Sequence, residues 1–137
     1  MNQFPAMYGS KDKIFEVWQT TQLQRVSDDQ IVSILDGCDS ANFLLAIALP
    51  QLGDFDSLEY AWWLQQKLSE ELAAKITIRA VGIGDHNSGL KFCQFTGFPE
   101  SSLFIDPDAK FHRSLGLYEG LAVKLPILSV SQNWSLD

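Results

Sequence analysis

The stretch Asn42–Leu64, NFLLAIALPQLGDFDSLEYAWWL, constrains the fold of this chain more than any other part of it. An unbroken apolar run, Phe43 to Leu49, precedes a short polar break and a Trp-containing amphipathic segment. The run reads as a strand apolar on both faces, the pattern of a central parallel strand covered on both sides. Pro50 has no N–H to give to a sheet ladder, so pairing is expected to stop there. Asp56 and Glu59 have helix-capping spacing, and carboxylates suit a helix N-terminus. The helix is expected to run to about Ala74, burying Leu58, Ala61, Leu64 or Gln65, Leu68 and Leu72. In open α/β sheets, ligands gather beyond the carboxyl ends of strands. The break Pro50–Ser57 is therefore the first place to look for chemistry, and it contains no Cys, Lys or His.

The segments downstream extend this unit. Ile76–Ile83 is a second strand, and strand–helix–strand over this length is a βαβ unit with parallel strands. Gly82-Ile-Gly84-Asp85 ends it, Ser88–Thr96 is a short helix, and Gly97 with Pro99 beyond supplies the stop. Leu103–Ile105 is a short third strand, and Asp106-Pro-Asp-Ala109 has the composition of a type I turn. Phe111 and Leu115 pair on a further helical turn closed by Gly116, and Leu121–Val130 is a last apolar run broken by Pro126. Upstream, residues 1–26 are expected to be a loose arm with a helical turn or two around Ile14, Phe15, Val17 and Trp18. Ser27 and Gln30 have capping-box spacing, and Ile31, Ile34 and Leu35 then predict a short helix ended by Gly37. Residues 1–137 read as one domain with its core over 42–117.

Composition narrows the function classes. Acidic residues outnumber basic ones 17 to 10, for a net charge of −7. No basic stripe is present to neutralise phosphates, which disfavours nucleic acid. No apolar run approaches the length of a bilayer span, so no membrane insertion is expected. The start of the chain lacks a basic region followed by an apolar core, so no signal peptide is expected. Two Cys at wide separation make neither a disulfide framework nor a zinc site. A reducing, cytoplasmic compartment is the expectation, and no motif calls for a cofactor.

The order of motifs resembles the AhpC/TSA peroxiredoxin-like family of the thioredoxin-like superfamily, and within it a cyanobacterial and plastid-type branch. The resemblance runs over Asn42–Leu117 and is strongest over Lys91–Leu117, where KFCQFTGFP is followed by LFIDPDAKFHRSLGL. It implies an α/β fold with a mostly parallel central sheet. It also implies a thiol motif after the first strand, commonly Gly-Cys-x-x-Cys. On this chain Gly53 matches the Gly, Asp54 takes the first Cys position and Ser57 the second. A carboxylate cannot attack a peroxide oxygen to give a sulfenic acid, so the resemblance implies the scaffold without its thiol chemistry. The family's closing β-hairpin has no evident match after Leu117. A shortened member, or a sheet completed by a second chain, would account for that.

Five groups of residues are candidates for function. Cys93, beside Phe92 and Lys91, is either a redox thiol activated by a helix start or a small buried apolar residue, the commoner fate of a free Cys. Cys38 follows the helix expected to end at Gly37 and lies between Asp36 and Asp39, a setting that disfavours a thiolate. Asp54, Asp85 and His86 lie beyond two adjacent strand ends and are candidate metal ligands; helix capping by Asp54, Asp56, Asp85 or Asn87 is the simpler reading. Trp62 and Trp63, about 100° apart on a helix, join Phe55 and Tyr60 as interface candidates, with ordinary core as the alternative. His112, near Asp108 and Arg113, reads as part of a solvated face. The function expected is a non-catalytic thioredoxin-like interaction or regulatory module, with a protein partner or a homo-oligomer. The alternative is a thiol-dependent redox protein using Cys93, with or without Cys38.

Overall fold

The computed structural model describes residues 11–117. They form one five-stranded sheet in the order β2-β1-β5-β4-β3. Its strands are β1 (Gln22–Arg25), β2 (Ile31–Ser33), β3 (Phe43–Gln51), β4 (Ile76–Ile83) and β5 (Leu103–Ile105). β3, β4 and β5 are parallel to one another, and the β1–β2 hairpin joins β5 antiparallel. The helices are α1 (Lys11–Thr20), α2 (Phe55–Lys67), α3 (Glu70–Ala73), α4 (His86–Thr96) and α5 (Lys110–Ser114).

Alternation along the strands divides the core into two layers. Ala80 of β4 and Leu103 and Ile105 of β5 face α2 and α4, packing with Ala61, Phe92, Cys93 and Leu49. Val81 and Phe104 point to the other face, where Trp18 of α1, Ile34, Phe111 and Leu115 close over them. Trp18 stands edge-on to Phe111 at 4.7 Å between ring centroids. This contact draws α1 onto α5, so residues 11–25, within the stretch expected to be a loose arm, are a helix and a strand.

Three elements differ from expectation. The helix expected at Ile31–Leu35 is instead β2. Ile31 is exposed and Ile34 fully buried, and the period-two pairing of Leu23 with Val32 takes precedence over the short i, i+3 stripe. The Ser27–Gln30 segment is the hairpin turn, with Asp29 at φ 62 and the Gln30 N–H donating to Asp28 Oδ1. The long helix ends at Lys67. Leu68 is extended, and Ser69 starts α3 by accepting the Leu72 N–H at 3.1 Å. Finally, β3 is not central. Among the described residues it lies at the edge of the sheet, and it continues through Pro50 by way of a register shift between Ala48 and Gln51. Proline is compatible with both an edge and a bulge. The burial that marks a central strand belongs to β5 and to the C-terminal half of β4.

Candidate functional site at the carboxyl ends of the parallel strands

Strands β3, β4 and β5 end side by side, and the turn from β3 into α2 lies above them. The last residues of β3 and the first turn of α2 enclose a shallow recess of about 360 Å³, lined by Ile47, Ala48, Leu49, Pro50, Asp56, Ser57 and Tyr60. Leu52, just after β3, ties the turn to β4: its N–H donates to Ile83 O at 2.9 Å and its side chain lies directly over Gly82.

Asp54 and Ser57 occupy this helix start in unlike settings. Asp54 is the N-cap residue of α2, yet its side chain caps nothing. The residue is exposed, but its carboxyl loses part of its hydration and neighbours Asp56, and both effects raise its pKa. Ser57, one turn further, is 1% exposed and its Oγ has no hydrogen-bond partner. The pair thus juxtaposes an exposed position at the helix start with a buried one in the first turn. The expectation that Asp54 caps α2 does not hold.

The other acidic and imidazole candidates lie apart from this turn. Asp85 caps α4 by accepting the Ser88 N–H at 2.8 Å, and these hydrogen bonds hold its carboxyl below the usual range. His86 Nε2 lies 2.9 Å from Asp29 Oδ1 and 3.1 Å from Val26 O, which pins the hairpin turn to α4. Asp85 and His86 therefore have local partners. No group of three or more His, Cys, Asp or Glu able to hold a metal occurs among the described residues.

Neither thiol is at the turn. Cys93 is buried within α4, and burial, with a smaller contribution from Glu100, pushes its pKa up to about 12. Cys38 is half-buried in the segment between β2 and β3, and both Cys are free. Of the aromatic candidates, Trp62 and Trp63 stand edge-to-face at 5.4 Å, with Lys67 Nζ 5.1 Å from the Trp63 ring. Both Trp, Phe55 and Tyr60 are exposed, and none belongs to the core.

The residue that the sequence reading misplaces is His112. It is buried and bonded through both ring nitrogens: Nδ1 is 3.1 Å from Asp106 Oδ2, and Nε2 is 2.6 Å from Leu49 O. Both ring nitrogens thus face an oxygen acceptor, one from α5's preceding turn and one from β3. Asp106 also accepts the N–H groups of Lys110, Phe111 and His112, and its own N–H donates to Gly82 O. Burial raises the pKa of its carboxyl, but the bonds from His112 and Phe111 outweigh this and hold it below the usual range. This network fastens the ends of β3, β4 and β5 together directly beneath the turn. A sequence signal exists: Phe111 and Leu115 mark the buried side of α5, His112 follows Phe111 in that helix, and the turn leading into it begins with Asp106.

A three-stranded parallel core, with helices on both faces and a helix start poised over the strand ends, defines a thioredoxin-like fold. The chain belongs to the AhpC/TSA antioxidant enzyme family, whose family model matches residues 63–136, more than half of its length. The match begins inside α2 and takes in β4, α4, β5 and α5, so it does not reach the turn that carries Asp54 and Ser57. No curated protein and no solved structure matches the chain. No helix among the described residues is long and apolar enough to cross a membrane.

Proposed function

We propose that this chain is a non-catalytic, thioredoxin-like interaction module on an AhpC/TSA scaffold. The observation that carries the reading is the helix start of α2, where Asp54 and Ser57 stand and no thiol is present. Their exposed and buried settings suit a reactive thiol and its partner one turn on, but a carboxylate and a hydroxyl cannot form the sulfenic acid that peroxide reduction requires. Cys93 is no substitute, because a thiol titrating near 12 is almost wholly protonated at neutral pH and only the thiolate attacks. Exposed Trp62, Trp63, Phe55 and Tyr60 supply the anchor types that protein interfaces favour. Two free Cys and the motif order of Lys91–Leu117 support a reducing cytoplasmic setting and the cyanobacterial and plastid-type branch.

The test is hydrogen peroxide consumption by the purified chain with thioredoxin or glutathione as electron donor. The expected rate is that of buffer with donor alone. Turnover abolished by Cys93→Ser would overturn the reading in favour of a thiol enzyme.

A further inference from the structure

We propose that the outward side of α2 docks a basic amphipathic helix of a partner protein. This gives the chemical class of the partner for the interaction module proposed above, and it rests on that reading. α2 buries Ser57 and Ala61. Its other side carries two neighbouring stripes: Glu59 and Trp62 follow Phe55, and Tyr60 and Trp63 follow Asp56, each at the i+4, i+7 spacing that lines up one helix face. All six are exposed among the described residues, Phe55 at 79%. Four of the six are aromatic, and fully desolvated aromatic side chains are what anchor protein interfaces.

Charge on this side selects the occupant. Asp54, Asp56 and Glu59 gather at the start of α2, and none of them forms a salt bridge among the described residues. Lost hydration and the neighbouring Asp56 already disfavour the Asp54 carboxylate, and a cation brought to this end offsets that penalty. Toward the other end, Lys67 Nζ stands 5.1 Å from the centre of the Trp63 ring, so this aromatic surface already holds one cation of its own. A second copy of the chain does not match, because it carries −7 and brings more negative charge to an acidic patch. The chain's own residues outside 11–117 do not match either, since Lys124 is the only Lys or Arg among them. The complementary surface is apolar where it meets Trp62 and Trp63 and carries Lys or Arg where it meets residues 54–59. An amphipathic helix with its cations grouped at one end has that pattern. The 13 residues of α2 span about 20 Å, so about four turns of a partner helix cover them.

Fluorescence polarisation of a labelled synthetic peptide, titrated with the full chain, tests this. The probe is a helical peptide of roughly 16 residues with Leu along one face and Arg grouped at one end; its match has Glu in place of every Arg. The Arg peptide is expected to bind with a Kd of about 10 μM, and the Glu peptide about 100-fold more weakly or not at all. Trp62→Ala with Trp63→Ala weakens binding of the Arg peptide about 30-fold, and Asp56→Asn with Glu59→Gln about fivefold, while circular dichroism stays that of the wild type. Glu16→Gln with Asp108→Asn removes the same net charge from exposed positions on elements of the opposite sheet face, and affinity stays within about twofold. Indifference to either α2 pair, or an equal loss in the Glu16, Asp108 pair, overturns the proposal. A chain that binds neither peptide overturns it as well. In that case a lowered urea midpoint in the Trp62, Trp63 pair assigns this side of α2 to the chain itself, and loss of a sedimenting dimer assigns it to a second copy. Peroxide turnover would remove the interaction-module reading without moving the peptide titration, so the two failures are distinguishable.

Discussion

Replacing His112 with Ala tests the network beneath the α2 turn. The substitution deletes a buried ring that joins Asp106 Oδ2 to Leu49 O. The bond to the Asp106 carboxylate is charge-assisted, and losing one of that kind costs about 1.5–3 kcal/mol. The Leu49 carbonyl, bonded to the ring at 2.6 Å, loses this partner, for about 1–3 kcal/mol more. Asp106 keeps three backbone N–H partners, so its own desolvation is only partly uncovered. Together these give a loss of about 2.5–6 kcal/mol, a large share of the roughly 5–15 kcal/mol that holds an ordinary domain together. Urea unfolding followed by Trp fluorescence reads it. With a slope of about 1–3 kcal/mol per molar, the midpoint falls by about 1 M or more. His86→Ala is the control: its ring is partly solvated and its Asp29 partner exposed, so the loss stays within about 1 kcal/mol. The pH dependence has a defined sign. The Asp106 pKa is depressed on folding, so its contribution is complete above the unfolded value of about 3.9 and disappears as pH falls through the lower folded value. Asp106→Asn therefore flattens the acid limb of stability. A His112→Ala loss below about 1 kcal/mol would refute the reasoning, because it would mean that neither bond holds the strand ends.

Two further outcomes follow from the thiols and the helix start. In the native protein at pH 7.5, Cys38 reacts with a thiol reagent and Cys93 does not until denaturant is added. Burial pushes the Cys93 thiol up to about 12, so it is almost wholly protonated there, and its burial also shields it from the reagent; mass spectrometry of the labelled peptides reads the difference, and native labelling of Cys93 at the rate of a free thiol contradicts it. In the double variant Asp54→Cys, Ser57→Cys, the thiol at 54 is expected to label faster than the thiol at 57, because position 54 is exposed at the helix start and position 57 is not. The thiol at 57 stays protected by burial, and equal labelling of the two would show that the turn does not distinguish them.

Much of the fold was legible because its signals were local and unopposed. β4 and β5 have the expected bounds, since β4 is rich in β-branched residues and ends at a Gly-rich turn and β5 is a continuous apolar run before Asp106-Pro107, and Gly97 ends α4 at φ 81 as a left-handed terminator should. The errors have a common physical origin. Ile31, Ile34 and Leu35 satisfy a helical stripe over a length too short to settle the matter, and pairing with β1 decided it. The apolar run of β3 reads as central because both its faces are apolar, but a run shows which faces lack charge and not which edges lack partners. His112 was misjudged from its charged neighbours Asp108 and Arg113, when the buried Asp106, six residues earlier, determines its place.

The candidate site joins two features with opposite energetic characters. Beneath the turn, Asp106 and His112 satisfy one another and the ends of the strands, and such closed buried networks fix a single geometry. Above it, Asp54 caps nothing, its carboxyl is disfavoured by lost hydration and by Asp56, and the Ser57 hydroxyl is buried without a partner. An unpartnered buried hydroxyl costs about 1–3 kcal/mol, and a cap that makes no bond forgoes about 1 kcal/mol. A turn shaped only for stability would not retain both costs on a foundation this well satisfied. A scaffold whose turn was shaped for a reactive pair, and whose pair was then replaced residue for residue, would retain them. The rigid base and the unfavourable helix start are what the proposed reading, a thiol pair replaced residue for residue, requires.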